Sequence, residues 1–238
     1  MPAGRTLRPS EGLTVTKDAT VLEGLHIQGR VTIAADDVIL RESLVQTDTS
    51  TYPIHVTDDA TGVLIEDVEV DNLGGTGIGI LISSGSTATI RRADIHSAED
   101  GIRIQGDDVT IEDSYVHDLQ RQSGGHHDTI QIRSGDNVTL EGNTLLPYDE
   151  STGDPMNAAL QIGSLLGDDR ISNLRVIDNY MNGGNYTING GSEGIVDSAF
   201  YSGNRFGRDY RYGVVGNMDA ASTWDDSNVF DDTGDPAR

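Results

Sequence analysis

The sequence predicts an all-β chain coiled into a solenoid. Three observations carry that prediction: a unit of three short strands recurring along most of the chain, a fixed offset between two of them, and no sustained helical stripe. Apolar-rich triplets begin at Val38, Val63, Ala88, Val109, Val138 and Leu174, at intervals of 25, 25, 21, 29 and 36 residues. A second triplet follows each of them after five residues, beginning at Ser43, Val68, Ala93, Ser114, Asn143 and Asn179.

The first triplets are β-branched and alternate, so one side of each faces inward, and stacking them predicts an interior column of Ile65, Ile90, Ile111, Leu140 and Val176. The second triplets start on small or amide residues. Asn143, Asn179, Asn204 and Asn228 share one place in the unit and predict an inward ladder whose amides satisfy one another along the stack. The third strands precede each pair, at Pro53–Val56, Ile80–Ile82, Ile102–Ile104, Ile130–Ile132, Leu160–Ile162 and Tyr186–Ile188. A β-sandwich has no need of a constant offset within a repeating unit, whereas a coil whose turns pair in parallel does. Helices are excluded because Gly, Asn, Asp and β-branched residues break every i, i+3, i+4, i+7 run.

Composition narrows the function. The chain has 238 residues, 39 acidic against 16 basic side chains, a net charge of -23 and no Cys. Disulfides and thiolate metal sites are ruled out, and so few cations make nucleic acid an unexpected ligand. No stretch nears the roughly 20 apolar residues of a membrane span, and 1–13 lacks the apolar core of a signal peptide. Lys17 is the single Lys. Turns account for part of the Asp content, and for the rest the acidic, Lys-poor balance leaves open a surface adapted to a halophilic environment.

The repeats, with His126-His127-Asp128-Thr129-Ile130-Gln131, Asn157-Ala158-Ala159-Leu160, Asn182 to Thr187 and Asn204 to Tyr212, carry a resemblance to a known family. The chain resembles the single-stranded right-handed parallel β-helices of the pectate-lyase-like type, above all short ones in secreted carbohydrate-active proteins and in tail proteins of tailed viruses. The expected division is a lead-in at 1–13, about eight turns over 14–215, and an aromatic-rich cap or tail at 216–238. The resemblance implies a virion-surface or extracellular protein that meets a host glycan and binds or cuts it. Its rivals are a secreted polysaccharide lyase or hydrolase and a purely structural module. Other virion proteins, and further copies in a homotrimer, are the partners it admits.

Two departures from the repeat, His117 to Asp128 and Pro147 to Ala158, read as loops walling a groove. Between them, Ile130 and Ile132 inward would turn Gln131 and Arg133 outward, beside Arg103, Gln105, Gln161 and Thr187 on adjacent turns. Amides and guanidinium groups suit sugar hydroxyls and carboxylates. His126 beside Asp128 offers an acid–base pair, and the resemblance would make Arg133, Arg103 or Arg211 the base of a β-elimination. The candidate catalytic residues are therefore His126, Asp128 and Arg133. The candidate binding residues are Arg103, His127, Gln131, Asn157, Gln161, Tyr186, Tyr210, Arg211 and Tyr212, the tyrosines as faces for sugar rings. The bland alternative is a polar turn in which one His fills space. No metal site is expected from the two His, which point to opposite faces of a strand. Acidic turns at Asp36-Asp37, Asp58-Asp59, Asp107-Asp108, Asp136 and Asp168-Asp169 would form a column; a solvated edge is preferred there, and calcium is the one cofactor they admit.

Overall fold

The computed structural model describes residues 6–163, 170–191 and 195–238. All secondary structure in them is strand, bridge and turn, and the strands of every sheet pair in parallel. The first triplets form one face, a nine-stranded sheet running from Val21–Glu23 to Ser222–Trp224. The second and third triplets form two further faces. These two are continuous as a 17-stranded sheet, because Arg8–Val15 and Leu25–Ile33 are long enough to run along both. The corner between them falls at Gly12 and Gly29, where a Cβ on Gly12 would sit 2.8 Å from the Arg30 backbone nitrogen.

The five-residue offset has a local cause. Between the first and second strand of every turn but the last stands one residue in the left-handed region: Gly24, Glu42, Asp67, Arg92, Asp113, Gly142, Asp178 and Gly203, with φ from 49° to 68°. A single such residue turns the chain sharply without a loop, so the second strand always resumes at the same spacing. Asp and Gly hold most of these places because they bear that conformation at least cost.

The predicted column is present. Ile65, Ile90, Ile111, Leu140 and Val176 pair in register, with Leu40 before them, and none has exposed surface. Val176 is followed by Tyr201 and then Trp224, so the column ends on large rings. Trp224 lies 5.6 Å from Phe206 and 5.7 Å from Tyr201.

The Asn ladder is present too. Asn143 Nδ2 donates to Asn179 Oδ1 at 2.9 Å, Asn179 to Asn204 at 3.0 Å, and Asn204 to Asn228 at 2.8 Å. Each of those oxygens also accepts the backbone N–H of the Asn before it. The same inward place is held by Ser43, Val68, Ala93 and Ser114 in earlier turns, all buried.

Strands continue on both sides of the expected 14–215 span. Arg8–Val15 pairs with Leu25–Ile33, and Val229–Phe230 pairs with Arg205–Phe206. The apolar alternation that signals a rung fades at both ends, because an end strand has a neighbour on one side and buries less.

Candidate functional site

The outward row of the third face was expected to carry the site, and the register defines it. His55, Leu81, Arg103, Gln131, Gln161 and Asn189 succeed one another in paired positions. Rungs about 4.8 Å apart bring Arg103, Gln131 and Gln161 side by side. Asn189, not Thr187, continues the row; Thr187 is fully buried with an unpaired hydroxyl. Parity alone missed this because the residue before the inward Ile or Leu is also enclosed on this face, as Thr129 and Ala159 are on the preceding turns.

Pairing along the row is uneven. Arg103 Nη2 lies 3.0 Å from Asp100, while its Nε is buried and unpaired. Gln161 is fixed: its Nε2 donates to the Ile162 carbonyl at 3.1 Å and its Oε1 accepts from Asn189 at 2.8 Å. Gln131 is 5% exposed, and its Oε1 has no partner. Arg133, two residues on and partly buried, likewise has an unpaired Nε. Tyr186 covers Gly216, where a Cβ would sit 2.5 Å from the ring, and leans on Tyr212, which is 64% exposed, at 5.6 Å between centroids. Tyr210 is partly buried against the core, and Arg211 is exposed.

The His-His-Asp segment differs from its expected role. His126 is exposed, but His127 and Asp128 have no exposed surface. His127 adopts φ 66°, and its Nε2 accepts the Gln122 N–H at 2.6 Å. Burial, and then the nearby Arg121, hold its pKa below the ordinary imidazole value, so it is a neutral packing group and not a ligand contact. Arg121 meanwhile clasps Asp154 through two bonds of 2.7 Å, tying the two insertion loops together.

Asp128 was expected at the rim of the strip and is instead enclosed. Its Oδ1 accepts from Asn157 Nδ2 at 2.7 Å, its Oδ2 has no partner, and its backbone N–H donates to Asp100 Oδ1 at 2.9 Å. Burial, and then the Asp100 charge, push its pKa well above the ordinary carboxylate range. A carboxyl with no exposed atom cannot meet a substrate, so the acid–base role expected of it is withdrawn. Asn157 is thereby a positioning group, and Asn185 donates to its Oδ1 at 3.4 Å. Sequence reasoning missed Asp100. It precedes Gly101 at the start of its strand as Asp128 precedes Thr129, and that parallel was the available signal.

The acidic turns are knit by hydrogen bonds. Asp37, Asp59, Asp108 and Asn137 take the left-handed conformation. Asp18 accepts the Asp36 N–H at 3.0 Å, Asp36 accepts the Thr61 N–H at 2.7 Å, and Asp107 accepts the Asp136 N–H at 2.8 Å. These donors lower the pKa of Asp36 and, through Ser172 and Asn173, that of Asp136. Asp168-Asp169 lie outside the described residues.

Comparison with known proteins adds the family. The profile described as right handed beta helix region matches residues 52–215, more than half the chain. The chain belongs to the right-handed β-helix family. Among solved structures, this β-helix is similar to PfbA, a surface adhesin of Streptococcus pneumoniae, at 15% identity and a TM-score of 0.52, covering 94% of this chain and 60% of that one. The tailspike protein gp49 from Acinetobacter baumannii bacteriophage Fri1, a capsular polysaccharide depolymerase, matches at 12% identity and a TM-score of 0.29, covering 92% and 52%. The adhesin likeness is one of fold alone. The β-helix thus spans about three fifths of the adhesin and half of the tailspike. No curated protein sequence matches it.

Proposed function

We propose that this β-helix is a glycan-binding protein of a cell or virion surface, which reads a polysaccharide along the outward row of its third face. The observation that carries the reading is the register that sets Arg103, Gln131, Gln161 and Asn189 in paired positions on successive rungs of one face, with the partly exposed Arg133 beside them. Amides and guanidinium groups side by side offer donors and acceptors along one line, and sugar hydroxyls, both donor and acceptor, match them. Gln161 and Asn189 extend the amide surface, and the tilted pair Tyr186 and Tyr212 offers apolar faces with polar tips. Arg103, within the row, and the exposed Arg211 and His126 are proposed as further contacts. The surface location follows the kind of protein its structural neighbour PfbA is, a surface adhesin.

The test is retention on an immobilised panel of capsular and cell-wall polysaccharides. The variant Gln131→Ala, Arg133→Ala, Gln161→Ala should lose roughly 1–2 kcal/mol per contact, at least a hundredfold together, while its melting transition is kept. Undiminished retention would move the site elsewhere. Release of reducing or unsaturated ends would make the protein a depolymerase, with His126 and Arg133 as its remaining exposed or half-exposed candidates for proton transfer.

A further inference from the structure

The beginnings of the two insertion loops enclose a second concavity of about 540 Å³, to which no residue of the outward row contributes. Tyr115, His117, Asp118, Leu146, Tyr148 and Glu150 are among its walls. Its floor is unusually well braced. His117 Nδ1 stands 2.7 Å from Asp118 and its Nε2 stands 2.8 Å from Asp94, so both ring nitrogens face carboxylates. Burial would push its pKa down, but the bonds to Asp94 and Asp118 outweigh that and raise it, favouring the imidazolium. Tyr115 lies flat on this ring, 3.8 Å away and 11° from parallel, and is 39% exposed. An exposed aromatic face fixed from behind is a platform that a ligand can use without the cost of ordering it.

The charge of the walls selects among ligands. Asp118, Asp149 and Glu150 are all acidic, and the cation His117 is already engaged by Asp94 and Asp118. Asp149 commits both oxygens to Ser151 and Thr152, shaping its own loop. Asp118 engages only Oδ2, with its side chain 76% exposed, and exposed Glu150 has no hydrogen-bond partner among the described residues. An anionic sugar would be repelled there, while an ammonium group would gain both the carboxylates and the face of the tyrosine.

We propose that this cleft is a second binding site, taking a pyranose with a free amine: its apolar ring face stacks on Tyr115 and its ammonium sits between Asp118 and Glu150. The site does not rest on the reading given to the outward row. Calorimetric titration with a glucosamine tetramer, and with the same tetramer fully N-acetylated, tests it. The amine form should bind at least about tenfold more tightly than the acetylated form, as a cation held by carboxylates and an aromatic face requires. Tyr115→Ala should weaken it about tenfold and Glu150→Gln severalfold, whereas Tyr115→Phe and the variant Gln131→Ala, Arg133→Ala should bind as the wild type does. Equal affinity for both tetramers, or no binding, overturns the proposal. So does wild-type affinity in Tyr115→Ala, which keeps every charge and would show only the attraction of a polycation to an acidic surface. Loss in the outward-row variant with none in Tyr115→Ala would overturn this site and leave the first one standing.

Discussion

A carboxyl sealed from water keeps its proton, and Asp128 shows what that does to stability. Its folded pKa is raised by burial and by Asp100, whereas in the unfolded chain it ionises near an ordinary value of about 3.9. Below that value both states hold the proton, and the stability associated with the group is fully present. As pH rises the unfolded state releases the proton first, so stability falls until the folded pKa is reached. Asp128→Asn keeps an oxygen for Asn157 and has nothing to ionise. It should match the wild type near pH 4 and be the more stable of the two at pH 8, measured by urea unfolding at both pH values. A wild-type curve no steeper than that of the variant between those values would show that the carboxyl ionises freely in the fold. Nothing in His126-His127-Asp128 as a string of letters distinguishes an exposed acid–base pair from this enclosed one. The outcome depends on Arg121 and Asp154, which draw the two loops together.

At the scale of the element, the corner between first and second strands does most to set the coil. It combines a left-handed residue, on all turns but the last, with an inward residue, and from Asn143 onward that residue is an amide whose Nδ2 donates to a backbone carbonyl on every rung. Asn179 is fully buried: its Oδ1 accepts from the backbone and side chain of Asn143, and its Nδ2 donates to the Leu140 carbonyl at 2.9 Å. Asn179→Ala strips those partners on two rungs at once and should destabilise by about 2–4 kcal/mol. The outward Thr89→Ala, on the nine-stranded face, should stay within about 0.5 kcal/mol. Denaturant midpoints for the two variants compare them directly, and equal losses would mean that the ladder is not a structural spine.

For the whole molecule, the charge of -23 opposes compaction while much local chemistry compensates it. Exposed pairs such as Arg41–Glu23 and Arg208–Asp232 contribute little each, and salt weakens them. The acidic turns are offset instead by short-range N–H and O–H donors, which salt scarcely affects. What remains is long-range repulsion, stronger in the folded stack than in the expanded chain. The melting temperature should therefore climb between about 0.1 M and 2 M sodium chloride, without a further rise on adding millimolar calcium at fixed ionic strength. A flat or falling melting temperature would mean that the ion pairs outweigh the repulsion, and a calcium-specific rise would mean that the turn column holds a cation.

The sequence by itself determined the coil: strand period, constant offset, interior column and Asn ladder are all local or repeated features, and stacking a repeat copies each local preference into a column. It also marked where the repeat breaks, at 117–128 and 147–158. Which side chains the breaks leave open was decided only by the tertiary structure. Burial of Asp128 and His127 depends on how unlike segments meet, whereas the place of Asn189 in the outward row and the bracing of His117, beneath Tyr115, by Asp94 depend on how one turn stacks on the next. Two insertions of different sequence share no repeat, so no periodicity records their contact, and the distances between their side chains exist only once the coil has brought them side by side.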